Sequence, residues 1–380
     1  MKPYLKRAWA EISLSDLRNN VNVINSMLGA NTEIMAVVKA DAYGHGEHQV
    51  SRCLWESGVR HFAVSNLDEA IEVRKSCPEA EVLILGYTPP EYGQALADNN
   101  IIQGIVSSEY AYELAENTSD SIRCHIKIDT GMGRIGLKYD SPSECAEEII
   151  RLSECEKLSV EGVYTHFAVA DCDDEENIEY TDRQEKFILD VYDELAEKGL
   201  KLRHLHFANS ATISYRNSER STLARAGIIM YGLCPNYPMK IDNRLKSVMA
   251  LKAVISHVKK VCKGECISYG RTFTAPRDMD IATVTIGYAD GYSRLLSSKG
   301  EILVHGKRCR IVGRVCMDQL MIDVSEVSAK AGDIVTLIGK DGDDEITADE
   351  LAAICSTIGY EVVCGISKRV PRIFHESEEE

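Results

Sequence analysis

Short apolar, β-branched runs recur along the first part of the chain, and between them apolar positions return at helical spacing. Eight runs read as strands: "IMAVVKA" from residue 34, "HFAVS" from 61, "EVLILGY" from 81, "IIQGIV" from 101, "IRCHIKID" from 122, "VEGVYTHF" from 160, "LRHLHFA" from 202 and "TLARAG" from 222. The stretches between them, such as "LDEAIEVRKS" and "TDRQEKFILDVYDELAEKG", are amphipathic, the second starting on a Thr/Asp cap and stopping at Gly199. Strand and helix in alternation predict a parallel sheet. Eight such units in about 230 residues predict a (β/α)8 barrel, whose chemistry belongs at the carboxyl ends of its strands.

After about residue 240 the pattern changes. Strands follow one another directly, as in "EILVHGKRCRIVGRV", where "HGKR" reads as a hairpin turn. One late helix is signalled by "TADELAAICSTIG", with Thr347 as its cap and Glu350 completing a capping box. The expected fold class is α/β: an N-terminal (β/α)8 barrel over residues 1–240, then a mostly β domain over 241–380. Residues 1–13 precede the first barrel strand and are open to pairing with the second domain.

Composition removes several functions. With 43 basic and 59 acidic residues the net charge is −16, which repels nucleic acid and anionic membranes, so an anionic ligand needs a local positive site. Thirteen cysteines form no C-x-x-C pair, and "CKGEC" at 262 has no second half to complete a zinc site, so reduced cysteines and no metal are expected. No charged segment leads into an apolar one near Met1, and no apolar run approaches membrane-spanning length. A cytoplasmic protein is the expectation.

The strand ends carry the candidate chemistry. Lys39 stands where "MAVV" stops, ahead of "DAYGHG"; partial desolvation there makes its amine a usable nucleophile, so it is a candidate Schiff-base lysine. In "HIKIDTGMGRIG", His125, Lys127 and Asp129 share one face and are expected to form a paired network. The "GMGRIG" run matches G-x-G-x-x-G, but it follows the fifth strand and lacks a ribose-binding acid further on. A tight turn aiming Arg134 at an anion is the better reading. His166 ends the sixth strand and is a catalytic candidate, whereas His204 and His206 read as structural histidines of the seventh. "ANS" at 208–210 and "ARAGIIMYG" at 224–232 follow the last two strands, where barrels commonly hold a phosphate. In the β domain "ISYGRTF", "TIGYADGYSR" and "VGRVCMDQ" stand out around Tyr269, Tyr288, Met317 and Asp318.

Taken together, "AVVKADAYGHG", "KIDTGMGRIG", "ANSA", "GIIMYGL", "SYGRTF", "GYADGY", "VGRVCMDQ", "ITADELA" and "YEVVCGISKRVPR" resemble, in order, the blocks of the alanine racemase family, which are fold-type III pyridoxal-phosphate (PLP) enzymes. The resemblance spans nearly the whole chain. It implies that Lys39 holds PLP as a Schiff base, with Tyr43, Ser210, Gly227, Ile228 and Tyr360 around the phosphate and Arg225 facing the pyridine nitrogen. An arginine there should keep that nitrogen unprotonated and favour reprotonation over transamination. Inverting an α-carbon needs two acid/base groups across a planar species. The resemblance assigns Lys39 to the D-alanine face and Tyr269, from the other subunit of a head-to-tail homodimer, to the L-alanine face. A free phenol titrates at about 10, and His166, linked onward to Arg225, resembles the partner that lets the tyrosine act as a base.

By the same resemblance Arg134 touches the PLP phenolic oxygen and the substrate carboxylate, the Met317 amide and Asp318 complete the substrate pocket, and Tyr288 and Arg294 line the substrate's passage. Lys127 matches a position for a carbamylated lysine, whose negative charge would hold Arg134. Two departures stand out: Gly359 where the family has Asn in "TINYEV", and Ala226 where "RPGI" commonly has proline. The implied activity is racemisation of alanine, supplying D-alanine for peptidoglycan. Broader alanine/serine racemisation, a non-catalytic PLP-binding protein and amino-acid decarboxylation are the alternatives. Tyr360 argues against serine, since relatives acting on serine tend to have a smaller residue there; the β domain with Tyr269 and Met317 argues against the carrier, and the missing β-domain cysteine block against decarboxylation.

Overall fold

The computed structural model describes residues 7–216 and 219–376, which divide into two compact units. Of the described residues, one unit comprises Arg18–Ala42 and those between Glu47 and Met230, and the other Arg7–Leu17, Tyr43–Gly46 and Tyr231–Glu376.

Strand β1 (Ala8–Ser13) belongs to the second of these units. The other unit is the barrel, whose strands are β2 (Glu33–Val37), β3 (His61–Val64), β4 (Glu81–Ile84), β5 (Ile102–Ile105), β6 (Ile122–Lys127), β7 (Leu158–Tyr164), β8 (His204–His206) and β9 (Leu223–Ala226). They pair in parallel in the order β8-β7-β6-β5-β4-β3-β2-β9. The Thr222 N–H to Leu205 O bond at 2.8 Å and the Arg225 N–H to Ala208 O bond at 2.9 Å all but close the ring between β9 and β8. All eight sequence-derived strands are present. Near-continuous burial along them is what a sheet covered on both faces requires.

Register decides what fills the barrel. Lys127 stands opposite Tyr164 and Tyr164 opposite His206, while one layer away His125 faces Gly162 and Gly162 faces His204. A β-carbon on Gly162 would lie 2.8 Å from His204 Cβ and 3.2 Å from His125 Cδ2, so only glycine lets the two rings approach. Barrel layers are usually branched aliphatics; here part of the interior is imidazole, phenol and amine.

The second unit is built on a nine-stranded sheet whose main path is β15 (Lys307–Arg310), β14 (Glu301–Val304), β17 (Ile334–Asp341), β10 (Met249–Val261), β1 and β19 (Arg372–His375), with β18 (Asp344–Ile346) paired to β17. Its long strand β10 pairs antiparallel with β1, with β17 and, past a bulge, with β13 (Met279–Val284). β14 and β15 form the hairpin read from "HGKR", turning on His305 (φ +51°) and Gly306 (φ +76°). β11 (Cys266–Ile267) and β12 (Phe273–Thr274) carry the Tyr269 turn between them, and β16 (Leu320–Asp323) and β19 complete the frame used below. No helix among the described residues is long and apolar enough to cross a membrane.

Two local readings change. The helix expected to start at Thr181 runs Glu175–Glu197, because Asp174 caps it first, accepting the Asn177 N–H at 3.1 Å; Thr181 lies buried in mid-helix. It does stop before Gly199, which takes φ +94°. Thr347 caps the late helix Ala348–Cys355 through the Glu350 N–H at 3.0 Å, but the Glu350 carboxylate turns to Arg308 at 2.6 Å. A charge-assisted bond to a guanidinium outcompetes the return bond of a capping box.

Candidate active site

Strand β2 ends at Val37, and Lys39 opens a short helical turn, Lys39–Gly44, of unusual hand. Ala40, Asp41, Ala42 and Tyr43 have φ between +53° and +56°, followed by Gly44 at +78°. Each non-glycine residue in that conformation costs about 1–2 kcal/mol. Four in a row mark a segment held in place by its surroundings. Lys39 itself is half-buried, consistent with a usable amine at a barrel mouth.

Deeper in, Arg225 on β9 is buried and donates to neutral acceptors: His206 Nδ1 and O at 2.9 Å, Thr165 O at 2.7 Å, Phe207 O at 3.2 Å and His166 Nδ1 at 3.4 Å. Among the described residues no carboxylate pairs with it. Burial lowers it to about 10, so it remains a cation. Because an arginine can only donate, His206 Nδ1 and His166 Nδ1 accept, and each neutral ring carries its proton on Nε2. His206 passes its Nε2 proton toward His125 Nδ1 at 2.9 Å. Burial first and then the Arg225 charge drive His166 down to about 3, and burial drives His125 and His206 well below the usual imidazole range. Lys39 and Arg134 add to the push on His166, so these groups share one neighbourhood at the strand ends.

Lys127 donates to Ile128 O at 2.8 Å, and burial and the Arg225 charge lower its amine to about 7. It does not pair with the other members of its strand face. Asp129 instead accepts the Gly131 and Gly133 N–H groups at 3.1 and 2.9 Å, shaping the loop that carries exposed Arg134. Tyr164 was not singled out from the sequence, although the alternation in "VYTHF" puts it on the His166 face. Its ring stacks on His206 at 4.8 Å, with Lys127 Nζ 5.6 Å and Arg225 Cζ 5.7 Å from its centroid. After β8 and β9, Ser210 Oγ accepts the Gly227 N–H at 3.0 Å, and both, with Ile228, are buried.

In the β unit, Tyr269, Met317 and Asp318 line one open groove of about 840 Å³. Tyr269 is 70% exposed and Met317 53%, unusual for side chains of that size. Ser268 (φ +71°) presents the tyrosine, its Oγ accepting the Arg314 N–H at 2.8 Å. Asp318 is held at 2.8 Å by Arg369, and its carbonyl at 3.1 Å by Arg7. Arg7 also grips buried Asp290, a member of the "GYADGY" block, with two bonds of 2.8 and 2.7 Å. The Tyr288 and Ala289 N–H groups bond Cys316 O and Met317 O at 3.0 Å, which docks the "GYADGY" turn on the Met317 loop; Arg294 is exposed nearby in sequence. Tyr43 and half-buried Tyr360 lie with ring centroids 6.0 Å apart.

The donor set fits a PLP-like group: a lysine amine, a backbone amide beside a serine hydroxyl, and a buried arginine with no carboxylate, suited to an electron-rich ring nitrogen. Fold and site define a barrel enzyme whose strand ends carry cations and neutral histidines. Residues 12–235 match the model of the alanine racemase N-terminal domain, and 248–374 that of the C-terminal domain. The chain belongs to the alanine racemase family of isomerases. It is 44% identical to the alanine racemase of Desulforamulus reducens over 96% of this chain and 98% of that protein. The crystal structure of the Bacillus anthracis alanine racemase with bound L-Ala-P superposes with a TM-score of 0.91 at 38% identity, covering 99% of this chain and 96% of that one. A more distant match is the histidine racemase of Leuconostoc mesenteroides, at TM-score 0.88 and 30% identity over 98% of this chain and 99% of the other.

Proposed function

We propose that this chain interconverts L-alanine and D-alanine with PLP, using Lys39 of one subunit and Tyr269 of the partner subunit as the two proton-transferring groups. The observation that carries the reading is the strand-end constellation, in which His166 sits beside a buried Arg225 bonded to neutral acceptors and Lys39 lies close enough for its charge to act on His166. PLP would be held on the Lys39 amine and, once the substrate's own amino group had displaced that lysine and left its amine free, would supply the electron sink that acidifies the α-proton.

The chain's residues supply the rest. Lys39 Nζ moves the proton on the D-alanine face. Tyr269 Oη of the partner subunit moves it on the L-alanine face, and its 70% exposure within its own chain leaves it available to a second copy. His166 Nε2–H, fixed as that tautomer by Arg225, faces the phenol as its hydrogen-bond donor. Arg225, a donor only, keeps the ring nitrogen without a proton and so restrains side reactions. Arg134 takes the substrate carboxylate and the phenolic oxygen, while the Met317 amide and Asp318 close the pocket. Tyr43, Ser210, Gly227, Ile228 and Tyr360 surround the phosphate, and Tyr288 and Arg294 line the approach. Lys127, with an amine lowered to about 7, has the neutral form that reacts with carbon dioxide, and its carbamate would hold Arg134. The enzyme works as a homodimer in the cytoplasm, and its D-alanine serves peptidoglycan.

Incubation with L-alanine in deuterated water tests this: D-alanine carrying α-deuterium should accumulate, and borohydride should fix PLP on Lys39. PLP binding without α-deuterium would favour a non-catalytic carrier. Faster exchange with L-serine or L-histidine than with L-alanine would reassign the substrate.

A further inference from the structure

The turn that follows Lys39 is held by a residue on the next loop. Helix Leu67–Ser76 is capped by Asn66, whose side chain accepts the Glu69 N–H at 3.0 Å. Glu69 is the third residue of that helix, where a glutamate ordinarily bonds back to the cap's own N–H. Its carboxylate does something else. Oε2 accepts the Ser65 N–H at 2.8 Å and the Ser65 hydroxyl at 2.9 Å, which fixes it on the loop after β3. Oε1 reaches to the loop after β2 and accepts the Ala40 N–H at 2.8 Å.

Ala40 is the first left-handed residue, and its N–H belongs to the peptide group joining it to Lys39. With the chain before the lysine held by the Val38 N–H to Ala63 O bond at 3.0 Å, fixing that peptide plane sets where the Lys39 Cα–Cβ bond points. On the lysine's other side Ala42 N–H bonds Val38 O at 2.9 Å, and further on Asp41 Oδ1 accepts the Glu47 N–H at 2.9 Å; of these bonds, the one from Glu69 holds the peptide that follows the lysine.

We propose that Glu69 is a positioning residue for Lys39: its carboxylate, anchored on Ser65, holds the strained left-handed turn Ala40–Tyr43 and thereby aims the lysine. The inference rests on the reading of Lys39 as the amine that takes PLP and moves the α-proton. Glu69 touches neither substrate nor cofactor and acts through the backbone. Glutamine keeps one acceptor oxygen and alanine keeps none, so the two substitutions grade the loss.

The test uses the full chain loaded with PLP. For Glu69→Gln, kcat should fall about tenfold, and for Glu69→Ala about a hundredfold, with KM changing by about threefold or less. The rate at which PLP becomes reducible by borohydride on Lys39 should fall in the same order. Adding Ala40→Gly to Glu69→Gln should restore most of both losses, because glycine adopts φ near +53° without steric cost. A purely structural role for Glu69 would not be relieved by that second change. Unchanged kcat and loading in Glu69→Gln, or losses that Ala40→Gly leaves in place, would overturn the inference. Should Glu69→Ala fail to fold, Glu69→Gln with and without Ala40→Gly decides it alone. If the unsubstituted chain took PLP at a residue other than Lys39, the reading of Lys39 would fall and this inference with it.

Discussion

Lys127 shows how far one residue's surroundings set its chemistry. An amine lowered to about 7 by burial and by Arg225 is largely neutral above that pH and an ammonium below it. Only the neutral form takes up carbon dioxide. A signal from labelled bicarbonate, mapped to Lys127, should therefore appear at pH 8.5 and fade as pH falls through about 7, with activity falling alongside. An unmodified ammonium at pH 8.5 would remove the carbamate from the account. Tyr269→Phe bears on the other face of the site. It should keep the colour of bound PLP yet lose most racemisation in both directions; full activity would refute the two-base assignment. These residues were legible from family blocks, whereas Tyr164 was visible only as alternation, and Glu69 looked like an ordinary third residue of a helix. Nothing in "ADAY" signals positive φ, since alanine and tyrosine avoid it.

At the scale of elements, the strands were readable because burial on both faces leaves continuous apolar runs, and the hairpin because His-Gly suits its turn. Helix ends were less readable, since two residues able to cap can stand in one stretch and the earlier one wins, as Asp174 does over Thr181. Gly359 illustrates a departure with a structural counterpart. A β-carbon there would lie 2.1 Å from Asp349 Oδ1, a buried oxygen with no hydrogen-bond partner among the described residues, on a carboxyl that burial raises above the usual range. Gly359→Ala should thus cost about 1–2 kcal/mol, read from urea unfolding, by displacing a carboxylate that also accepts the Cys234 N–H at 3.1 Å. Combining it with Asp349→Ala should cost less than the sum of the two single changes; simple additivity would show that the contact is not felt.

For the whole molecule, the buried histidines predict a pH dependence of stability. His125 and His206 stay neutral when folded, with folded values far below those of the unfolded chain. The unfolded state then binds more protons, so stability present above about pH 6.5 is lost as pH falls below it. Urea midpoints at pH 7.5 and 5.5 should differ in that direction, and equal midpoints would contradict the buried neutral tautomers. The assembly of the site is the larger claim, since Lys39 and Tyr269 are read as meeting across two chains. It is tested most directly by coexpressing Lys39→Ala and Tyr269→Phe chains, each inactive alone, and measuring alanine racemisation by the mixture. Mixed dimers hold one intact site, so activity should return to about a quarter of the unsubstituted level. No recovery in demonstrably mixed dimers would contradict a site shared between subunits.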